Sequence, residues 1–142
     1  MLLWKPLTAF SACNIVNDKA YGECAGVTIN SATKEFIEIT SYSSESGIIS
    51  GARIKNGGTL YLSGTSNGNL SVDKGGKLYV TGVVYGTITN NGGVIDIEGD
   101  VSYVIANLGT TLISGFADGV FGKGKVVYRK GAVIGGNPVE QQ

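Results

Sequence analysis

Asp96, Glu98 and Asp100, at alternate positions, come closest in type and spacing to an acid–base machinery. Ile95 and Ile97 interleave with them. In an extended strand the isoleucines take one face, and Asp96 and Glu98 share the other. Two carboxylates on one exposed face could cleave a glycosidic bond if held at a controlled separation with one pKa raised. A second candidate is Gly119-Val-Phe-Gly-Lys-Gly-Lys125, which carries the GxxxxGK skeleton of a phosphate-binding loop. It has Val126 where a Ser or Thr would hold magnesium, and no helix is expected after it to supply an anion-binding N-terminus. Its glycines are read as structural.

Other chemistries are removed by composition. The chain has 142 residues and no histidine, so the commonest general base and metal ligand is absent, and with it every Ser-His or Cys-His pair. The two cysteines, Cys13 and Cys24, lack zinc-site spacing and are expected to be buried or free thiols, although pairing is open. Eleven basic residues balance eleven acidic ones, which removes any general pull toward nucleic acid or anionic membrane. No cofactor, metal or catalytic residue is assigned, and the chain is read as a non-enzyme.

What must position these residues is visible as a repeat. A Gly-x3-Gly step begins at positions 47, 64, 82, 115 and 131, and Gly99 opens a further copy in which Tyr103 stands in the second place. Glycine pairs at 57–58, 75–76 and 92–93, with Leu108-Gly109 in the next slot, keep the same step. After them come alternating apolar residues: Leu60 and Leu62, Leu78 and Val80, Ile95 and Ile97, Thr111 and Ile113, and in a shortened copy Val126 and Tyr128. Alternation of period two means short strands with one face buried, and the glycines mark corners. A unit this short cannot bury its own apolar face, but stacked units can, each hydrogen-bonded to the next. The chain is therefore expected to be all-β: a single-stranded parallel β-helix, or β-solenoid, of about six coils of 16–18 residues. A hairpin sandwich explains Asn91-Gly92 but not two markers held in one register.

Residues 1–21, with Leu2, Leu3, Trp4 and Phe10, are expected to cap the solenoid, which spans 22–136. A coil with an insertion begins near Gly22, Lys34–Thr40 reads as a strand and Ser41–Ser46 as a polar loop. Residues 137–142 read as a disordered tail. No apolar run approaches a bilayer span. The apolar start fits neither a secretory signal, with Pro6 inside it, nor a lipoprotein signal before Cys13.

The outward position between the paired apolar residues is Tyr61, Tyr79, Asp96, Leu112 and Val127, with no cation in that column. The carboxylates thus read as a solvated acidic patch. Tyr61 and Tyr79 should stack, while Tyr85 and Tyr103 sit near the Gly-x3-Gly corner. Rigid amphipathic tyrosines suit a protein interface and also stabilise a ladder, and both uses stay open. The candidate interface is Tyr61, Tyr79, Tyr85, Asp96, Glu98 and Tyr103. Lys123, Lys125, Arg129 and Lys130 make the last coil basic. Asn56, Asn91 and Asn107 are expected at one corner, able to form amide ladders.

The run Gly57-Gly-Thr-Leu-Tyr-Leu-Ser-Gly, Gly75-Gly-Lys-Leu-Tyr-Val-Thr-Gly, Gly92-Gly-Val-Ile-Asp-Ile-Glu-Gly resembles the passenger repeats of bacterial autotransporter adhesins over about residues 47–136. The step is also similar to that of bactofilins, small β-solenoids that polymerise end to end. The resemblance implies a rigid surface rather than a reaction. The expectation adopted is a bacterial cytoplasmic protein-binding module of immunity type that neutralises a toxin. The alternatives are an adhesin passenger, secreted or at the cell surface, and a bactofilin-like self-assembling structure.

Overall fold

In the computed structural model, the structure describes residues 37–139 in full and the backbone of 14–16, 19–21 and 27–29. The strands run in chain order as β1 (Asn14–Val16), β2 (Lys19–Tyr21), β3 (Val27–Ile29), β4 (Ile37–Ile39), β5 (Tyr42–Glu45) and β6 (Ile48–Ile49). Then come β7 (Ala52–Ile54), β8 (Thr59–Leu62), β9 (Thr65–Ser66), β10 (Leu70–Asp73) and β11 (Lys77–Val80). The last are β12 (Val83–Ile97), β13 (Asp100–Ile113), β14 (Phe116–Phe121), β15 (Lys125–Tyr128), β16 (Val133–Ile134) and β17 (Asn137–Pro138). The described residues contain no helix.

Three parallel ladders wind around one core, as the repeat predicts. The first face stacks β4, β7, β10, then the middle of β12 and β13, and the end of β14. The second stacks β5, β8, β11, the ends of β12 and β13, and β15. The third stacks β6, β9, the starts of β12, β13 and β14, and β16. Register is kept residue for residue: Leu60 lies beside Leu78 and Leu78 beside Ile95, and Leu62, Val80, Ile97 and Ile113 form the adjoining column. All of these side chains are buried. Each coil thus covers the apolar row of the one before it.

The two glycine markers have different physical causes. At the Gly-Gly corner the first glycine takes a left-handed backbone, with φ of 87° at Gly57 and 86° at Gly75, a region that costs any residue with a Cβ. The Gly-x3-Gly glycines are required by close approach. A Cβ on Gly82 would strike the Gly64 carbonyl oxygen, and one on Gly99 the Gly82 carbonyl oxygen, so backbone rests on backbone along that corner.

Three sequence expectations change. Ser41–Ser46 is not a loop over its whole length, because β5 pairs with β8 and places Ser43 beside Leu60 and Glu45 beside Leu62. The ladder overrides the polar composition there. The strand Val27–Ile29 runs antiparallel to Ile37–Ile39, so it forms a hairpin rather than a parallel coil, and the parallel stack begins at β4. Asn137 and Pro138, expected in the tail, pair antiparallel with Val133–Ile134. Tyr103 stands beside Gly119, the second glycine of the next copy, as the sequence places it, while a bulge of β12 at Tyr85-Gly86 sets it beside Thr87 of the preceding coil. In the expected cap, β1 and β2 form an antiparallel hairpin whose first strand lies beside β6. Leu2, Leu3, Trp4, Phe10, Cys13, Gly22, Cys24 and the end of the tail, 140–142, lie outside the described residues.

Candidate functional site

The outward column of the second face is the one that the repeat predicts. Ser44, Tyr61, Tyr79, Asp96, Leu112 and Val127 follow one another in register. From Ser44 to Leu112 their neighbours along each strand are buried, so that part of the column stands on a packed support, whereas Val126 and Tyr128 beside Val127 are only partly buried. Tyr61 and Tyr79 stack with ring centroids 5.9 Å apart and planes 26° from parallel, within the spacing of favourable offset aromatic pairs. Asp96 follows them. A cation does reach it, contrary to the sequence reading: the Arg129 guanidinium lies 4.0 Å from Asp96 Oδ2. Arg129 is not in the column but at the turn after β15, and its length carries it across the intervening coil. Glu98 is exposed at the corner beyond β12's end.

Tyr85 and Tyr103 belong to a different place, where the third face turns into the first. Tyr85 is exposed, and its carbonyl oxygen accepts a 2.9 Å hydrogen bond from Ser102 Oγ. Tyr103 leans toward Phe121, centroids 6.2 Å apart, over Gly119, where any Cβ would meet both rings. Ile105 pairs with Phe121 on the same face. So the six candidate residues divide into a column of three tyrosine and aspartate side chains with Glu98 at its edge, and a separate aromatic group. Phe121 was missed in the sequence. It stands one repeat after Ile105, and the register alone locates it.

The remaining polar groups are structural or unexpected. The Asn107 amide donates to Asn91 Oδ1 at 3.2 Å, an amide step between coils as predicted. Asn90, not singled out in the sequence, is fully buried in a column otherwise apolar from Ile39 to Ala106. Its Oδ1 accepts from the N–H of Gly92 and Gly93 at 3.0 and 2.8 Å. Its Nδ2 donates to the Gly93 and Thr110 carbonyls and to Thr111 Oγ1. Every polar atom of the amide is used, which is why burial is tolerated. The Gly119–Lys125 segment is strand and turn, with the Gly124 N–H donating to the Ala106 carbonyl, so its glycines serve coil closure.

Glu45 has a displaced acidity. It sits at the base of the Leu62, Val80, Ile97 column, 2% exposed. Burial pushes its carboxyl up from an ordinary 4.5 to about 7, partly opposed by the Gly47 N–H, which lies 3.3 Å from Oε1. Beside it Ser43 Oγ is buried with no hydrogen-bond partner among the described residues. No group of three or more His, Cys, Asp or Glu placed to hold a metal occurs among the described residues. Compared with known protein families, with curated proteins and with solved structures, the chain finds no match.

Proposed function

We propose that this chain is a non-catalytic protein-binding module whose working surface is the outward column of the second face. The observation that carries the reading is the Tyr61–Tyr79 stack on a packed support, continued in register by Asp96, Leu112 and Val127. Side chains held this way lose little further freedom when a partner docks, and tyrosine adds apolar area with a polar tip. The specific role proposed is immunity, in the bacterial cytoplasm: the rod occupies the surface through which a protein toxin acts. That role needs a preformed complementary surface and no reacting group.

A bactofilin-like filament would need open strand edges at both ends of the rod. The antiparallel β3 lies along β4 and closes the N-terminal edge of the first face, which weighs against head-to-tail stacking. An adhesin passenger would use the same outward column against a host surface.

The test is affinity capture with the wild-type chain and with Tyr61→Ser/Tyr79→Ser, checked for an unchanged β spectrum by circular dichroism. One stoichiometric protein retained by the wild type and lost by the variant supports the reading. Growth arrest by that protein alone, relieved by co-expression of this chain, supports the immunity role. Equal retention by both chains removes the tyrosine column from the function.

A further inference from the structure

The two ends of the rod differ in how their strand edges are closed. At the C-terminal end the third face is closed by β17, which pairs with β16. The second face ends on β15, which pairs with β13 and with no other described strand. The Arg129 N–H donates to the Ile113 carbonyl. In a parallel ladder alternate residues direct both backbone groups to the same side, so the N–H and C=O of Val126 and Tyr128 point away from β13. Val126, Tyr128, Ile134 and Val139 pack on the core but are only partly buried, and among the described residues no further strand lies along β15. Lys123, Lys125 and Lys130 flank this edge, Arg129 turns back toward Asp96, and residues 119–136 contain no acid.

We propose that the Lys125–Tyr128 edge is a docking site for an extended segment of a partner protein in which apolar and acidic residues alternate. The added strand completes the ladder through the outward backbone groups of Val126 and Tyr128. Its apolar residues lie over the half-buried Val126 and Tyr128, and its acids lie on the outer side, toward Lys125 and the flanking cations. The same charges select the occupant. A second copy brought edge to edge would set three lysines against three, whereas an acidic strand gains from each. The proposal rests on the chain being a protein-binding module, but not on the tyrosine column.

The probe is a labelled octapeptide alternating valine and glutamate, titrated with the full chain and read by fluorescence anisotropy, against its valine–lysine counterpart. The glutamate peptide is expected to bind at least about tenfold more tightly, and more weakly as salt rises. Val126→Pro removes one outward N–H without breaking a bond to β13, and should cost about tenfold or more in affinity. Lys123→Glu/Lys130→Glu should do the same through charge alone, and decides the matter if the proline variant does not fold. Equal binding of both peptides, or unchanged binding by these variants when folded, overturns the proposal. So does a concentration-dependent dimer in sedimentation that Val126→Pro abolishes, since the edge would then belong to a second copy. Tyr61→Ser/Tyr79→Ser should leave peptide binding intact. Failure of the peptide alone sinks the end site, while failure of capture alone sinks the tyrosine column.

Discussion

The second face carries the same two inward columns from one end of the rod to the other, yet its two ends finish them in opposite ways. At the base the columns end on Ser43 and Glu45, polar side chains that are nonetheless buried. At the top they end on Val126 and Tyr128, apolar side chains that are only half covered. Buried polarity costs stability at one end, and exposed apolar surface with an unpaired edge costs it at the other. A solenoid coil is stable because both of its neighbours cover it. The last described coil lacks one neighbour, so the ordinary burial of apolar side chains relaxes there.

The largest test of that contrast compares a middle coil with an end coil. Leu78→Ala, wholly enclosed, should lower the unfolding free energy by roughly 2–5 kcal/mol, because the neighbouring coils hold the cavity open. Val126→Ala should cost less than about 1.5 kcal/mol, since its site is already partly open. Denaturant titration of both reads the difference directly, and equal losses would mean that the top coil is covered as well as the middle.

Asn90→Ala comes next. It leaves the N–H groups of Gly92 and Gly93 without their acceptor inside the structure, and should cost about 1–3 kcal/mol by thermal or denaturant unfolding. Asn90→Asp keeps the acceptor but loses the three donations, so it should also destabilise.

At the base, Glu45 makes stability depend on pH with a definite sign. Its carboxyl holds its proton up to about pH 7 when folded and only to about 4.5 when unfolded. Between these values the folded chain binds the extra proton, so stability falls as pH rises from about 4.5 to 7 and then levels off. Unfolding midpoints of the wild type should show that slope, and Glu45→Gln should flatten it. A wild type as stable at pH 8 as at pH 5 would show that the carboxylate finds a counter-charge when ionised. The smallest effect is expected from Arg129→Met. The Arg129 side chain is half exposed, and its 4.0 Å pair with Asp96 is at the limit of contact, so the change in stability should stay within about 0.5 kcal/mol.

The middle of the rod is the region most fully written in the sequence. Leu60, Leu78 and Ile95 repeat at steps of 18 and 17 residues with glycines beside them, and a repeat of that length has one economical way to bury its apolar face. The outward column from Tyr61 to Val127 follows from the same register. The ends are less legible because their rule is set by what lies next to them. Tyr42-Ser-Ser-Glu45 has the composition of a loop, and only the ladder offered by β8 makes it a strand. Val27–Ile29 resembles a repeat strand, and its antiparallel direction is a matter of chain path, not of residue type. Asn90 looks like half of an Asn-Asn corner. That it turns inward and closes five hydrogen bonds depends on Thr110 and Thr111 of the next coil.

By itself the sequence determined the coil length, the inward and outward positions and the corners, because period-two alternation and glycine sterics are local properties that the repeat copies along the chain. Tertiary structure alone decided which polar groups are buried, which edges stay open and that Arg129 reaches Asp96. Those outcomes depend on distances between coils that are far apart in sequence, and no local pattern encodes them.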